Sequence, residues 1–255
     1  MRPKSAIRIP ARNALVAVLL LALAPGSASG GKAPDPQTLR SDHPYRVTVE
    51  LTEGRFAGWG YGSNPSKQTL DCVLFLREIV RELAERTGQD VPRSAERTLL
   101  IAGIDYAEAG RRLRLREPQR RRFRDDASFE QAHSKWRIAV LDKLVETKDP
   151  QIRGVQTALV EAGLGHAVAP EDIRAGDFVQ YWYRSKKLGR WLGHSGVIGE
   201  IKPNGRIVLW GAHLSILADP DHPDRKAEHG GVGPSIPIRI RPDHMYPVRW
   251  GPAPE

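Results

Sequence analysis

From residue 71 to residue 87 the apolar side chains fall at Cys72, Phe75, Leu76, Ile79, Val80 and Leu83, with Arg77, Glu78, Arg81 and Glu82 between them. That spacing is the period of an amphipathic helix. Asp71 stands at the N-cap, where a carboxylate accepts from the free amides of the first turn, and Thr87-Gly88 supplies the stop. Two further helices are expected at about Ser128–Val145 and Gln151–Ala162, the second ended by Gly163. Apolar and polar residues alternate from Tyr45 to Leu51, which predicts a half-buried strand. The C-terminal half predicts strands at Asp177–Tyr183, Gly193–Ile201, Arg206–His213 and Ser235–Arg241. A strand, a helix carrying Cys72, more helices and then antiparallel strands together predict an α+β fold, with helices packed on one face of a sheet.

The first residues follow another logic. Arg2, Lys4, Arg8 and Arg12 precede an apolar run from Ala14 to Ala24 and the small residues Gly26–Gly30. This is the layout of a secretory signal peptide, expected over residues 1–28, and the run is well short of the roughly 20 residues that span a bilayer. The mature protein is therefore expected to be exported, periplasmic or extracellular, without stable membrane insertion. Residues 29–44 are polar and proline-bearing, as in a linker. Residues 45–250 are expected to form one catalytic domain with a helical insertion at about 89–150, within which lies the arginine-dense run Arg111–Arg124. Another proline-, glycine- and histidine-rich stretch, Asp219–Pro234, reads as a loop near the site.

Charge and cysteine content narrow the chemistry. The formal charge of +9 falls to +5 once the four basic residues of the leader are removed. That favours anionic envelope polymers as partners, reached through Arg111–Arg124, and an exported chain disfavours nucleic acid. Charge runs also form plain solvated faces. Cys72 is the only cysteine, so no internal disulfide supports the fold.

A thiol at a helix start has a specific use. Its free pKa of about 8.5 leaves little thiolate at neutral pH, but helix-terminal amides and a nearby imidazole favour the anion. Free cysteine is also among the most buried residue types, so position alone leaves an inert core thiol open. The best-placed base is His194, in Gly193-His194-Ser195-Gly196. Asn204-Gly205 then signals a hairpin. With a two-residue loop, Pro203 opposes Arg206 and His213 opposes Gly196, so His194 and His213 lie diagonally on one face. His213 could then orient His194 as the third member of a triad. A one-residue change in the loop would put His213 on the opposite face.

These residues resemble a known family. Asp71-Cys72 opening a helix, the glycine-rich Gly58–Gly62 segment upstream, Gly176-Asp177-Phe178 entering a strand, and Gly193–Gly196 look like the NlpC/P60 group of papain-like enzymes, over roughly residues 45–86 and 154–215. The resemblance implies a papain-like α+β core and a cysteine hydrolase that cleaves an amide or peptide bond in peptidoglycan stem peptides. It implies Cys72 as nucleophile, His194 as base and His213 as the orienting residue, with Asp71 fixing the helix start or binding substrate. Tyr61 would line the cleft as a substrate-binding residue, although Trp59 or neither residue also fits. No metal or organic cofactor is needed. Three departures stand out: Val73-Leu74 where the family commonly has Ser-Gly, an unusual register for the upstream tyrosine, and the long insertion.

Two other classes compete. His213, Asp219, Asp221, His222, Asp224 and His229 lie close in sequence, but none of their spacings matches a zinc pattern. A non-catalytic cell-envelope binding module of the same fold is the alternative to an enzyme.

Overall fold

The computed structural model of the chain describes residues 32–100, 103–186, 188–214 and 231–253. The expected signal peptide lies outside the described residues, as does most of the Asp219–Pro234 loop. Among the described residues six α-helices and eight strands follow one another: α1 (Pro44–Glu53), β1 (Gly60–Tyr61), β2 (Thr69–Leu70), α2 (Cys72–Thr87), α3 (Arg93–Leu100), α4 (Tyr106–Arg112), α5 (Asp126–Glu146), α6 (Gly154–Glu161), β3 (Gly165–Ala167), β4 (Phe178–Arg184), β5 (Trp191–Ile201), β6 (Ile207–His213), β7 (Gly231–Pro234) and β8 (Met245–Trp250). The strands form one curled sheet in the order β2-β1-β7-β6-β5-β4-β8-β3. Its pairs are antiparallel except β1 with β2. The fold is thus mixed α+β.

The segment expected to open the fold as a strand is a helix. In α1 the solvated residues are Arg46, Glu50 and Glu53, spaced as one helical face. Tyr45 and Val49 pack with Trp210 on one side, and Val47 and Leu51 enter the main core on another. Burial on two sides leaves apolar residues at alternate positions and imitates a strand. Pro44 occupies the first turn, and His43 Nδ1 accepts from the Tyr45 N–H at 3.2 Å. The preceding residues also pack, since Ala33 and Leu39 rest against the Tyr45–Trp210 cluster.

Helices α2 and α6 cover one face of the sheet. Phe75, Leu76, Ile79 and Leu83 of α2 join Val155 and Leu159 of α6 against Phe178, Val197, Ala212 and Val248. Within residues 89–150, α3 contributes Leu99 to this same core, whereas α4 and α5 build a second cluster with Trp136, Val140 and Leu144 beside Trp182 and Trp191. The other face carries Val179, Tyr181, Ile198, Ile207 and Leu209, covered by Ile238 and Ile240.

That cover is the segment expected as a strand at Ser235–Arg241. It makes only an isolated bridge, Ile207 to Ile238. Pro237 has no N–H to continue a ladder.

The hairpin between β5 and β6 departs twice from its expected register. The turn sits on Pro203-Asn204, with Lys202 O accepting from Gly205 N–H and Gly205 at φ 73°, so the loop has three residues rather than two. Ile201 therefore opposes Ile207. A bulge at Gly199 then shifts the register again, and Ile198 opposes Leu209. Each shift alone would exchange the faces; together they restore the facing that brings His213 toward His194.

Candidate active site

Cys72 opens α2 because Asp71 caps it. One Asp71 oxygen accepts from the backbone N–H groups of Val73 at 3.1 Å and Leu74 at 2.8 Å, and the other accepts from the Ser63 hydroxyl at 2.6 Å. Both oxygens are therefore engaged in holding the helix start.

The structure brings His194 and His213 together. His194 Nε2 lies 3.0 Å from His213 Nδ1. The other nitrogen of His213, Nε2, is 3.2 Å from the Leu209 carbonyl and 3.1 Å from the Gly233 carbonyl. Carbonyls only accept, so His213 Nε2 carries a proton. The neutral ring then has a lone pair at Nδ1, which accepts from His194 Nε2–H. His194 is left with an unprotonated Nδ1 that makes no hydrogen bond among the described residues. Two backbone carbonyls thus fix, through His213, the tautomer of His194. Tyr181, directly opposite His194 on β4, meets its ring edge-on at a centroid distance of 5.8 Å.

Electrostatics keep this pair neutral. Burial, and then the adjacent His213, push His194 down to about 3. Burial lowers His213 too, opposed by the two carbonyls that accept from it. Burial also pushes the Cys72 thiol above its ordinary value, and the Asp71 charge adds to this; the hydroxyl and backbone N–H of Ser195 act in the opposite direction. The resting pair is accordingly a thiol and a neutral imidazole.

Cys72 sits against Ser195, the neighbour of His194, and is not hydrogen-bonded to His194 itself. Ser195 faces α2, on the side of the sheet opposite His194, since successive strand residues alternate. Ile198 donates its N–H to Asp177 on the β4 side. By alternation the Ser195 N–H points away from β4, to the β6 side, where regular β5–β6 pairing ends at Val197 and Trp210. The charge of the thiol is felt by Tyr61 and by Tyr181. Tyr61 is pushed up to about 12, first by its burial and then by Cys72 and Asp71.

The sequence therefore located Cys72, Asp71, Tyr61, His194 and His213 in one neighbourhood. Trp59, the other candidate for the cleft, packs instead on Phe56 at 5.0 Å in the main core. Sequence reasoning missed Tyr181, Ser195 and the carbonyls of Leu209 and Gly233. Tyr181 becomes visible only when the β4–β5 register is known, and backbone acceptors leave no residue signature. Among the described residues no group of His, Cys, Asp and Glu is arranged to hold a metal ion; Asp219, Asp221, His222, Asp224 and His229 lie outside them. No helix of the described residues is long and apolar enough to cross a membrane. In the Arg111–Arg124 run, Arg112 pairs with Asp149 and Arg120 with Asp126. Comparison of the chain with models of known protein families, with curated proteins and with solved structures finds no match.

Proposed function

We propose that this protein is an exported cysteine hydrolase of the papain-like NlpC/P60 type that cleaves an amide or peptide bond, with peptidoglycan stem peptides as its substrate. The observation that carries the reading is the chain from the Leu209 and Gly233 carbonyls through His213 to His194, which leaves His194 Nδ1 as a free base beside the residue that touches Cys72. A lone cysteine at a capped helix start, paired with an imidazole whose tautomer is fixed, has the groups needed for nucleophilic catalysis.

In the proposed reaction His194 Nδ1 takes the Cys72 proton as sulfur attacks the carbonyl carbon. Cys72 and His194 close to hydrogen-bonding distance when substrate fills the site, as catalytic contacts commonly do. The imidazolium, steadied by His213, returns the proton to the leaving amine as the C–N bond breaks. Water then hydrolyses the thioester, and sulfur is released. With the Val73 and Leu74 amides taken up by Asp71, the Cys72 N–H is the candidate donor to the oxyanion. A pocket of about 400 Å³ between α5 and Trp191–Gly193 opens beside the strand that carries His194, although none of Cys72, His194, His213 and Tyr61 lines it.

A second reading has its own support. The thiol, held above its ordinary value, and the bulky Val73-Leu74 suit a cell-envelope binding module that keeps the fold without catalysis. Mass spectrometry of purified peptidoglycan fragments separates the two. Native protein is expected to yield new fragments whose masses identify the bond, and Cys72→Ala none. Tight binding by both proteins with no products from either would establish the binding module instead.

A further inference from the structure

Ser195 belongs to no part of the mechanism described so far, yet its environment is unusual. Its side chain is 2 % exposed, and its Oγ is buried without a hydrogen-bond partner. A hydroxyl is rarely left in that state, because a buried unsatisfied polar group is costly. Its surroundings explain what it waits for. On the face of the sheet that α2 and α6 cover, it stands opposite Gln180, whose Oε1 accepts from the Val155 N–H, and it adjoins the Cys72 thiol. No hydrogen bond joins the hydroxyl to sulfur in the structure.

We propose that Ser195 is a positioning residue for the nucleophile: its hydroxyl and its backbone N–H together hold the Cys72 sulfur beside β5 and donate to it once it becomes an anion. The inference rests on reading Cys72 as the nucleophile. The two donors reach sulfur from one residue in different directions. The N–H lies in the plane of the sheet on the β6 side, beyond the last regular β5–β6 pair, Val197 with Trp210. The hydroxyl rises from the face that α2 covers. Neither donor needs to move when the proton passes from sulfur to His194, so the pair is organised in advance for the charge that develops. In the resting protein the hydroxyl is unsatisfied; in the thiolate it gains a charge-assisted hydrogen bond. The arrangement thus favours the state with the proton on His194 over the resting state. His194 and Ser195 are adjacent in sequence, so one stretch of β5 presents the base from one face and the anion donors from its β6 side and the other face.

The test follows the rate of Cys72 alkylation by iodoacetamide against pH, without substrate, in native protein and in Ser195→Ala and Ser195→Thr. The profile reports the thiolate whether or not the protein proves to be a hydrolase. Ser195→Ala is expected to move the profile to higher pH by about one unit or more, the size of a lost hydrogen bond to a charged group. Ser195→Thr, which keeps the hydroxyl, is expected to stay near the native profile. An unmoved profile in folded Ser195→Ala would overturn the proposal, as would equal shifts in the Ala and Thr variants, which would mark a packing effect. Should Ser195→Ala fail to fold, Ser195→Gly replaces it in the same comparison. Turnover by Cys72→Ala on peptidoglycan fragments is measured separately, so that failure of the hydrolase reading is not confused with failure of this one.

Discussion

At the scale of single residues the site turns on where two protons reside. The carbonyls of Leu209 and Gly233 hold one on His213 Nε2, and this places the other on His194 Nε2. Burial makes both rings reluctant to take a further proton. This has a consequence for stability with a definite sign. The folded value for His194, about 3, lies below the unfolded value of about 6.5, so the unfolded chain binds the proton more readily. The stability associated with a neutral His194 is fully present above pH 6.5 and is lost as the pH falls toward 3. Thermal melts across that window are expected to drop more steeply for native protein than for His194→Gln. The slope attributable to this ring is at most about 1.4 kcal/mol per pH unit. Equal slopes would show that His194 is not held neutral by the fold. His194 and His213 were legible in the sequence as a pair because both flank a recognisable turn. Ser195 was not, since its significance depends on having no partner.

Among the elements, α2 was the easiest to read and the most consequential. Its apolar stripe, its Asp71 cap and its Gly88 stop all follow from local chemistry, and Gly88 takes the left-handed conformation at φ 66° that a C-terminal glycine permits. The cap has a cost for the thiol, because the Asp71 carboxylate raises the proton affinity of Cys72 while it occupies the helix-start amides. Asp71→Asn keeps a capping oxygen and removes the charge. Alkylation of Cys72 at neutral pH is expected to quicken severalfold in that variant with little change in melting temperature. Asp71→Ala, which loses the cap, is expected to cost about 1 kcal/mol. Unchanged alkylation in Asp71→Asn would remove the carboxylate from the account of the thiol.

Other elements were hidden by competing patterns. Helix α1 imitated a strand because it is buried on two sides, and only its charged residues Arg46, Glu50 and Glu53 kept helical spacing. Strand β8 was concealed by Pro247. The Pro247 carbonyl accepts from the Val168 N–H, so its missing N–H falls on the β3 side, where β3 ends at Ala167 opposite Val248. No ladder bond is lost there, which is how a proline is tolerated. The β5–β6 register illustrates a different difficulty. Loop length and bulge each change it by one residue, and the expected facing of the two histidines survived because the two departures cancel.

Across the whole molecule, the curled sheet separates two sets of functional groups, which the adjacent residues His194 and Ser195 of β5 link. Helices α2 and α6 pack on the face that carries Val197 and Ser195, while His194 and His213 share the other face with Tyr181 and Leu209. Regular β5–β6 pairing stops before these residues, at Val197 and Trp210. Periodicity predicted the α+β class and the four elements that carry the site chemistry: α2, β4, β5 and β6. It could not predict strand order, because which edges meet depends on long-range packing that no local window contains. The same limit explains why α3 joins the main core although it lies in the stretch read as an insertion.

The central claim is that Cys72 becomes covalently bonded to substrate. Intact-protein mass spectrometry after rapid acid quenching of a reaction with purified peptidoglycan fragments tests it most directly. An acyl adduct is expected on Cys72 of native protein, in step with product formation, and neither adduct nor product from Cys72→Ala. Fragment cleavage by Cys72→Ala at the native rate would contradict it.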